Sequence, residues 1–145
     1  MLNHLLANDV LVVSVLAWSL AQLSKLLIFL MREGKLQVRY LASAGGMPSS
    51  HSALVTAMAA RVGMNYGVES GIFAVAVLFA AVVLYDAAGV RRAVSHQARI
   101  LNRMLEEVIE YQRFSEKRLL ELLGHTPFEV FVGLLLGLIT ALSWT

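Results

Sequence analysis

Two short segments of this chain carry residues whose types and spacing could support phosphate chemistry. The first is residues 45–52, which read GGMPSSHS and precede a predicted helix. Two glycines allow close backbone approach to a ligand, and Ser49 or Ser50 is a natural N-cap. The first turn of a helix offers unpaired N–H groups and the positive end of the helix dipole, which together favour an anion. An ordinary capped helix start is the alternative, but His51 beside the cap favours an anion site with a proton donor.

The second segment is residues 125–129, HTPFE, at the start of the last apolar run. His125 and Glu129 are four residues apart, so a helix would place them on one face, where a carboxylate can fix the tautomer of an imidazole. The alternative is structural, because Thr126 as N-cap, Pro127 at the first helical position and Glu129 at the third form a capping box. The sequence leaves both interpretations open.

Charged residues in or beside apolar runs are further candidates. Lys25 lies in the first run, where an unpaired lysine costs up to about 2.5–3.5 kcal/mol at a helix centre. A bound phosphate or a carboxylate partner is therefore expected, unless the side chain snorkels to the interface. Asp86 closes the third run near Arg91 and Arg92. It could orient Arg91 toward phosphate or accept a hydrogen bond from a catalytic histidine; alternatively, the arginines are topology anchors and Asp86 is their surface partner.

Two other titratable residues fall outside the candidate site. Arg61 follows His51 by ten residues, about 15 Å along a helix, and is expected to reach the outer interface. His96 lies in a polar segment with no acid four residues later, and it is expected to be a solvated surface residue.

The composition predicts a membrane protein. Of 145 residues, 58% are hydrophobic and 15% are charged, against roughly 45–50% and about 25% in soluble proteins. The chain has no cysteine, which excludes disulfides and thiolate chemistry. Its net charge of +2 is too small to indicate nucleic-acid binding. The first apolar run lacks a basic leader and a cleavage site, so it is expected to be a retained span rather than a signal peptide.

Four apolar runs predict an all-α, polytopic membrane bundle in a single domain of residues 1–145. The predicted spans cover about 10–31, 51–67, 71–88 and 127–144. The second run is interrupted by Arg61, and the fourth is near the lower length limit for spanning. Between the third and fourth, residues 89–125 are polar with apolar residues at helical spacing, which predicts a cytoplasmic amphipathic helix.

The distribution of basic residues predicts the orientation. Ten of the twelve lysines and arginines fall in two stretches, one after the first run and one after the third. The positive-inside rule places both stretches and the site in the cytoplasm and both termini outside, in a prokaryotic inner or organellar membrane. In the last run Gly133, Gly137 and Ala141 recur every four residues, which favours close helix packing within the bundle or in a homodimer.

The stretch GGMPSSHSA resembles the Pro-Ser-x-His motif of the type-2 phosphatidic acid phosphatase superfamily, which is related to vanadium haloperoxidases. From Gln22 and Lys25 through YDAAGVRR to LGHTPFEV, nearly the whole chain resembles a small divergent branch of it, classed as a domain of unknown function. The resemblance implies a metal-independent phosphatase without cofactor, acting on a phosphomonoester or diphosphate through a phosphohistidine. The setting at a membrane surface favours a lipid phosphate over other phosphorylated small molecules.

The resemblance also implies roles for individual residues. His51 would protonate the leaving oxygen, and His125 would be the nucleophile. The expected catalytic residues are His51, Asp86, His125 and Glu129, and the expected phosphate-binding residues are Lys25, Arg39, Gly46, Ser49, Ser50, Arg91 and Arg92.

The chain departs from the superfamily pattern in each motif. Arg32 follows Lys25 with the spacing of the first motif, but Glu33 replaces its proline, and Arg39 is a rival for the arginine role. Ser50 replaces the usual glycine of the second motif. The third motif has no intact copy, which supports the alternative of a non-catalytic phosphate-binding scaffold or regulator. A transporter is less favoured, because four spans are few and no pair of discontinuous helices indicates an inverted repeat.

Overall fold

The computed structural model describes residues 6–34, 46–90, 96–98, 100–102, 104 and 125–144. These residues form four long helices: α1 (Asp9–Glu33), α2 (Ser50–Tyr66), α3 (Gly71–Tyr85) and α4 (Pro127–Ser143). A π-helical segment, Asp86–Val90, follows α3 directly. The described part of the chain contains no β-strand. The predicted all-α fold is therefore confirmed.

Each long helix begins at a polar side chain that accepts a hydrogen bond from an N–H of the first turn. These N-caps are Asn8, Ser49, Ser70 and Thr126. At the other ends, Gly34 closes α1 at a φ of 64° and Gly67 closes α2 at 83°. Positive φ angles are readily adopted by glycine. Local capping chemistry thus sets the helix boundaries near their predicted positions.

α2 is the central helix and contacts α1, α3 and α4, while α1 also contacts α4. The amino ends of α2 and α4 are joined by a hydrogen bond from Ser49 N to Glu129 O, 3.1 Å. At their other ends, Arg61 donates to the carbonyl of Trp144. α2 and α4 are therefore parallel, and both begin at the same end of the bundle. We call it the site end; α1 and α3 run antiparallel to α2.

The core of this bundle consists of small side chains. Val13, Ala17 and Ala21 of α1 are fully buried against Ala53 and Ala57 of α2. On each helix these residues recur every four positions, which places them on one face. In a membrane, where apolar side chains gain little by leaving lipid, helices associate through such close van der Waals contact.

The glycines of α4 approach α2 more closely still. A Cβ atom on Gly133 would lie 2.3 Å from the carbonyl oxygen of Ser49, and one on Gly137 would lie 2.3 Å from that of Ala53. Ala141, on the same face, is fully buried. Of the two alternatives for this face, bundle contact and homodimer contact, the structure shows the first. A second copy could not reach the glycines while α2 covers them.

Two helical segments, Asp9–Met31 and Gly71–Gly89, are long and apolar enough to cross a membrane, and α4 is apolar but shorter. Large apolar side chains such as Leu27, Leu78 and Ile139 face outward. The count of four spans stays a prediction. Residues 96–98, 100–102 and 104 are helical, with Ile100, Leu101 and Met104 exposed, but most of the predicted amphipathic helix lies outside the described residues.

Candidate functional site

The serines before and within the first turn of α2 are buried and bonded to each other. Ser49 Oγ accepts from Ser52 N at 3.4 Å and from Ser52 Oγ at 2.8 Å. Ser49, Ser50 and Ser52 are at most 2% exposed. The capped helix start considered from the sequence is therefore present. A serine hydroxyl has two acceptor sites and one proton, so the proton of Ser49 remains for a further acceptor.

Lys25 turns into the bundle at this end. Its side chain is 7% exposed and continues the buried face of α1 formed by Val13, Ala17 and Ala21. Gly46 packs on it, since a Cβ on Gly46 would lie 3.4 Å from both Cγ and Cδ of Lys25. Gly46 has a φ of 93°, which favours glycine. The lysine thus lies against the candidate phosphate loop instead of snorkelling outward.

His125 and Glu129 form a hydrogen-bonded pair. His125 Nδ1 lies 3.1 Å from Glu129 Oε2, and the imidazole is 1% exposed. Because a carboxylate only accepts, the proton belongs on Nδ1, and neutral His125 then carries its lone pair on Nε2.

The capping box around Glu129 is present at the same time. Thr126 N donates to Glu129 Oε2 at 3.1 Å, and Glu129 N donates to Thr126 Oγ1 at 3.3 Å. The catalytic and structural interpretations of HTPFE are therefore compatible, because one carboxylate oxygen accepts from both Thr126 N and His125. The helix start fixes the carboxylate, and the carboxylate orients the ring.

Glu129 also connects this pair to the other two elements of the site. Its carbonyl oxygen accepts from Ser49 N, and Gly46, three residues before Ser49, packs on Lys25. Lys25, the amino end of α2 and the His125–Glu129 pair therefore meet at one end of the bundle. Two helix amino ends and a lysine make this region favourable for an anion, with Glu129 as the opposing charge.

His51 and Asp86 lie at the same end. His51 is the second residue of α2 and is exposed, and Asp86 begins the π-helical segment, which contacts α4. The predicted phosphate ligands Arg39, Arg91 and Arg92 lie outside the described residues. The choice between Arg32 and Arg39 is therefore untested.

Arg61 was expected to point away from the site, toward the outer interface. It lies at the opposite end of the bundle from the site, and its side chain is 9% exposed because it turns toward the neighbouring helices. Its guanidinium pairs with Asp9 of α1 and donates to the carbonyl oxygen of Trp144 at 3.1 Å. These partners compensate its charge inside the bundle, at the end opposite to the site. His96 is exposed, as predicted.

Two features of the arrangement were missed from the sequence: Ser52 supports the hydroxyl of Ser49, and Asp9 pairs with Arg61. Close packing by Gly133 was expected, but its partner, the backbone of Ser49, was not. The signal for Asp9 was its spacing, because it lies four residues before Val13 on the buried face of α1. No comparable local signal marks Ser52 as a partner of Ser49.

Known proteins resemble this chain over a range that includes the candidate site. The chain matches the model of the Divergent PAP2 family over residues 6–140, which include every candidate site residue. It is 40% identical over 153 aligned positions to the uncharacterized membrane protein YuiD of Bacillus subtilis (strain 168), covering 96% of this chain and 95% of that protein. No solved structure matches the chain. Its long apolar helices and this relative support membrane association. This chain belongs to the Divergent PAP2 family.

Proposed function

We propose that this chain is a metal-independent membrane phosphatase that hydrolyses a lipid-linked phosphomonoester or diphosphate through a phosphohistidine. The observation that carries the proposal is the His125–Glu129 pair, 3.1 Å apart, beside Lys25 and the amino end of α2. Membership of the Divergent PAP2 family supports a phosphatase-related activity.

In the first step, Nε2 of His125 attacks phosphorus with its lone pair. The bond between phosphorus and the leaving oxygen breaks, and His51 gives that oxygen a proton. Glu129 keeps the proton of His125 on Nδ1 and stabilises the positive charge that the ring gains as it becomes phosphorylated.

Charge on the phosphoryl oxygens is neutralised by fixed groups during this step. Lys25 supplies a full positive charge, and the backbone N–H groups at the start of α2 supply partial ones. Arg39, Arg91 and Arg92 are proposed to complete the set. Groups held in place before reaction stabilise the transition state without the cost of reorganisation.

In the second step, water hydrolyses the phosphohistidine. His51, now neutral, accepts a proton from the attacking water, and the bond between phosphorus and Nε2 breaks. Inorganic phosphate leaves, and both histidines return to their starting protonation states. One histidine thus acts as acid and then as base.

A lipid-linked substrate is favoured by the position of the site along α1. Lys25 lies six residues before Met31, the end of the apolar segment of α1, or about 9 Å along the helix. A phosphate bound beside Lys25 would therefore lie close to the hydrocarbon boundary, where lipid headgroups are concentrated. A soluble phosphomonoester would have to be drawn to this depth from water.

Purified protein should release phosphate from a lipid monophosphate or a prenyl diphosphate, with and without a chelator. Replacement His51→Ala should lower turnover by about 10²- to 10⁴-fold through loss of the general acid. The matched control is His96→Ala, an exposed histidine outside the site, which should leave turnover unchanged. No release by the wild-type protein, or full activity of His51→Ala, would refute the proposal.

One observation favours a second function, that of a non-catalytic phosphate-binding scaffold. His125 is 1% exposed, which keeps the proposed nucleophile away from solvent in this conformation. Vanadate distinguishes an enzyme from a scaffold, because it mimics the phosphoryl group in the transition state of transfer. A vanadate adduct on His125 supports the enzyme, whereas tight phosphate binding without turnover supports the scaffold.

A further inference from the structure

At the end opposite to the site, polar groups connect three helices. Arg61 of α2 pairs with the carboxylate of Asp9 on α1 and donates to the carbonyl oxygen of Trp144, which follows α4. Asn65 Nδ2 donates to the other carboxylate oxygen of Asp9 at 2.7 Å. We call Asp9, Arg61, Asn65 and the Trp144 carbonyl the far-end cluster.

Asp9 and Lys25 stand at the two ends of one face of α1. The residues between them on this face, Val13, Ala17 and Ala21, are fully buried. Asp9 and Lys25 are sixteen residues apart, or about 24 Å along a helix. Because a continuous helix moves nearly as a rigid rod, any axial shift of Asp9 moves Lys25 by a similar amount.

The apolar contacts between α1 and its neighbours specify the axial position of α1 weakly. Small residues recur every four positions on α1 and on α2. A slide of α1 by one turn toward the site end would place Val13 where Ala17 was and Ala17 where Ala21 was, whereas the opposite slide would draw Lys25 into the fully buried position of Ala21. The register of α4 on α2 is different, because Gly133 and Gly137 admit backbone carbonyls that a Cβ would meet at 2.3 Å. Shape therefore fixes the position of α4, whereas the apolar contacts oppose a slide of α1 toward the site end only weakly.

We propose that the far-end cluster is a register lock for α1, and that Asp9 and Arg61 are positioning residues which place Lys25 beside Glu129. A specific polar pairing between helices selects one register, since a slide of one turn would separate Asp9 from both of its partners, Asn65 and the buried Arg61. The catalytic consequence rests on the proposed function, but the register itself does not.

Two variants distinguish a register lock on α1 from a cluster that only compensates the charge of Arg61. Asp9→Ala removes the connection to α1 and also leaves Arg61 without its carboxylate. The double variant Asp9→Ala/Asn65→Asp returns a carboxylate four residues from Arg61 on α2 itself, a spacing that allows an ion pair within one helix. The double variant thus restores the charge balance of Arg61 and leaves α1 unconnected.

The distance between two spin labels reports the register without reference to activity. The natural chain has no cysteine, so Leu27→Cys and Leu142→Cys provide two unique sites in the full-length protein. Leu27 lies near the site end of α1 and Leu142 near the far end of α4, and both are exposed. A one-turn slide of α1 would shift their separation by up to about 5 Å.

In the labelled parent protein we expect one distance population. Both Asp9→Ala and Asp9→Ala/Asn65→Asp should show a second, displaced population and a raised KM for the phosphate substrate. Val62→Ala, which trims a buried side chain one residue from Arg61, should keep the parental distance. A parental distribution in the double variant would overturn the proposal. If the wild-type protein releases no phosphate, the proposed function fails, and the distances still decide the lock.

Discussion

At the residue scale, Oε2 of Glu129 accepts hydrogen bonds from two donors that have different purposes. Thr126 N belongs to the start of α4, and His125 Nδ1 belongs to the proposed nucleophile. Because the helix start holds the carboxylate, the imidazole is oriented by backbone structure and not by a freely rotating side chain. Replacing the carboxylate and the capping hydroxyl one at a time should separate the two roles.

Glu129→Gln should lower turnover by about 10²- to 10⁴-fold, with little loss of stability. Glutamine still serves in a capping box, but it cannot supply the negative charge that supports the His125 cation. Thr126→Ala is the matched control, and it should lower the free energy of unfolding by about 1 kcal/mol with turnover per folded molecule nearly unchanged. For each variant, phosphate release measures turnover, and denaturant titration in mixed micelles measures the free energy of unfolding. A Glu129→Gln variant with wild-type turnover would exclude the carboxylate from catalysis.

Residue spacing predicted this pair, but the expected reason, a shared helix face, was wrong. His125 precedes the N-cap Thr126, and the capping box brings the Glu129 side chain back toward it. The same reasoning could have placed Lys25 inward, since it follows Ala21 at the spacing of the buried face of α1. Arg61 was not predictable in this way, because its partners are 52 residues before and 83 residues after it. Pairing over such distances depends on the packing of whole helices, which local patterns do not contain.

At the element scale, α4 is brought to the site by its contact with α2. Gly133 lies one turn after Glu129 and receives the carbonyl of Ser49, the residue that caps α2. The distance between the proposed nucleophile and the phosphate loop therefore depends on the absence of a side chain at this position. The contact is backbone to backbone, so it cannot be relieved by rotating a side chain.

Gly133→Ala should force α4 away from α2 and lower the free energy of unfolding by about 1–3 kcal/mol, with loss of turnover. The matched control is Gly71→Ala at the first position of α3, where a Cβ would meet nothing within 4 Å. Unfolding titrations in mixed micelles compare the two. Equal stability of both variants would contradict the close α2–α4 contact.

Helix boundaries were more predictable than helix partners. The serines, Thr126 and Gly67 mark helix ends by their own capping chemistry, so the predicted and observed bounds nearly coincide. The parallel arrangement of α2 and α4 was not evident, because α3 and a long polar segment separate them in the sequence. Close helix packing at Gly133 and Gly137 was correctly expected, but the sequence did not indicate that α2 would be the partner helix.

At the scale of the whole molecule, two polar clusters stand at opposite ends of a core of small side chains. The site contains Lys25 and the far-end cluster contains Asp9, about 24 Å apart along α1. The hydrocarbon core of a bilayer is roughly 30 Å thick. A bundle of this length would place each cluster near one boundary, with the apolar outer surface of the helices between them.

The orientation of the bundle is predicted from its basic residues. Introduced cysteines at Ala7 and Ser143 should react with an impermeant maleimide on intact cells, and one at Gln97 should react only after the cells are opened. All three positions are exposed, and the absence of natural cysteines gives a clean background. Reaction at Gln97→Cys from outside would reverse the topology and place the site on the other side.

The central claim, that His125 takes the phosphoryl group, can be tested by trapping the intermediate. The protein would be mixed with a lipid phosphate carrying a radiolabelled phosphoryl group, denatured in alkali and digested for mapping. We predict an alkali-stable, acid-labile label on His125, which is absent from His125→Asn and accumulates in slowed variants such as His51→Ala if dephosphorylation is slowed more than attack. Two results would contradict this claim. One is a label on another residue while the protein releases phosphate, and the other is undiminished turnover by His125→Asn.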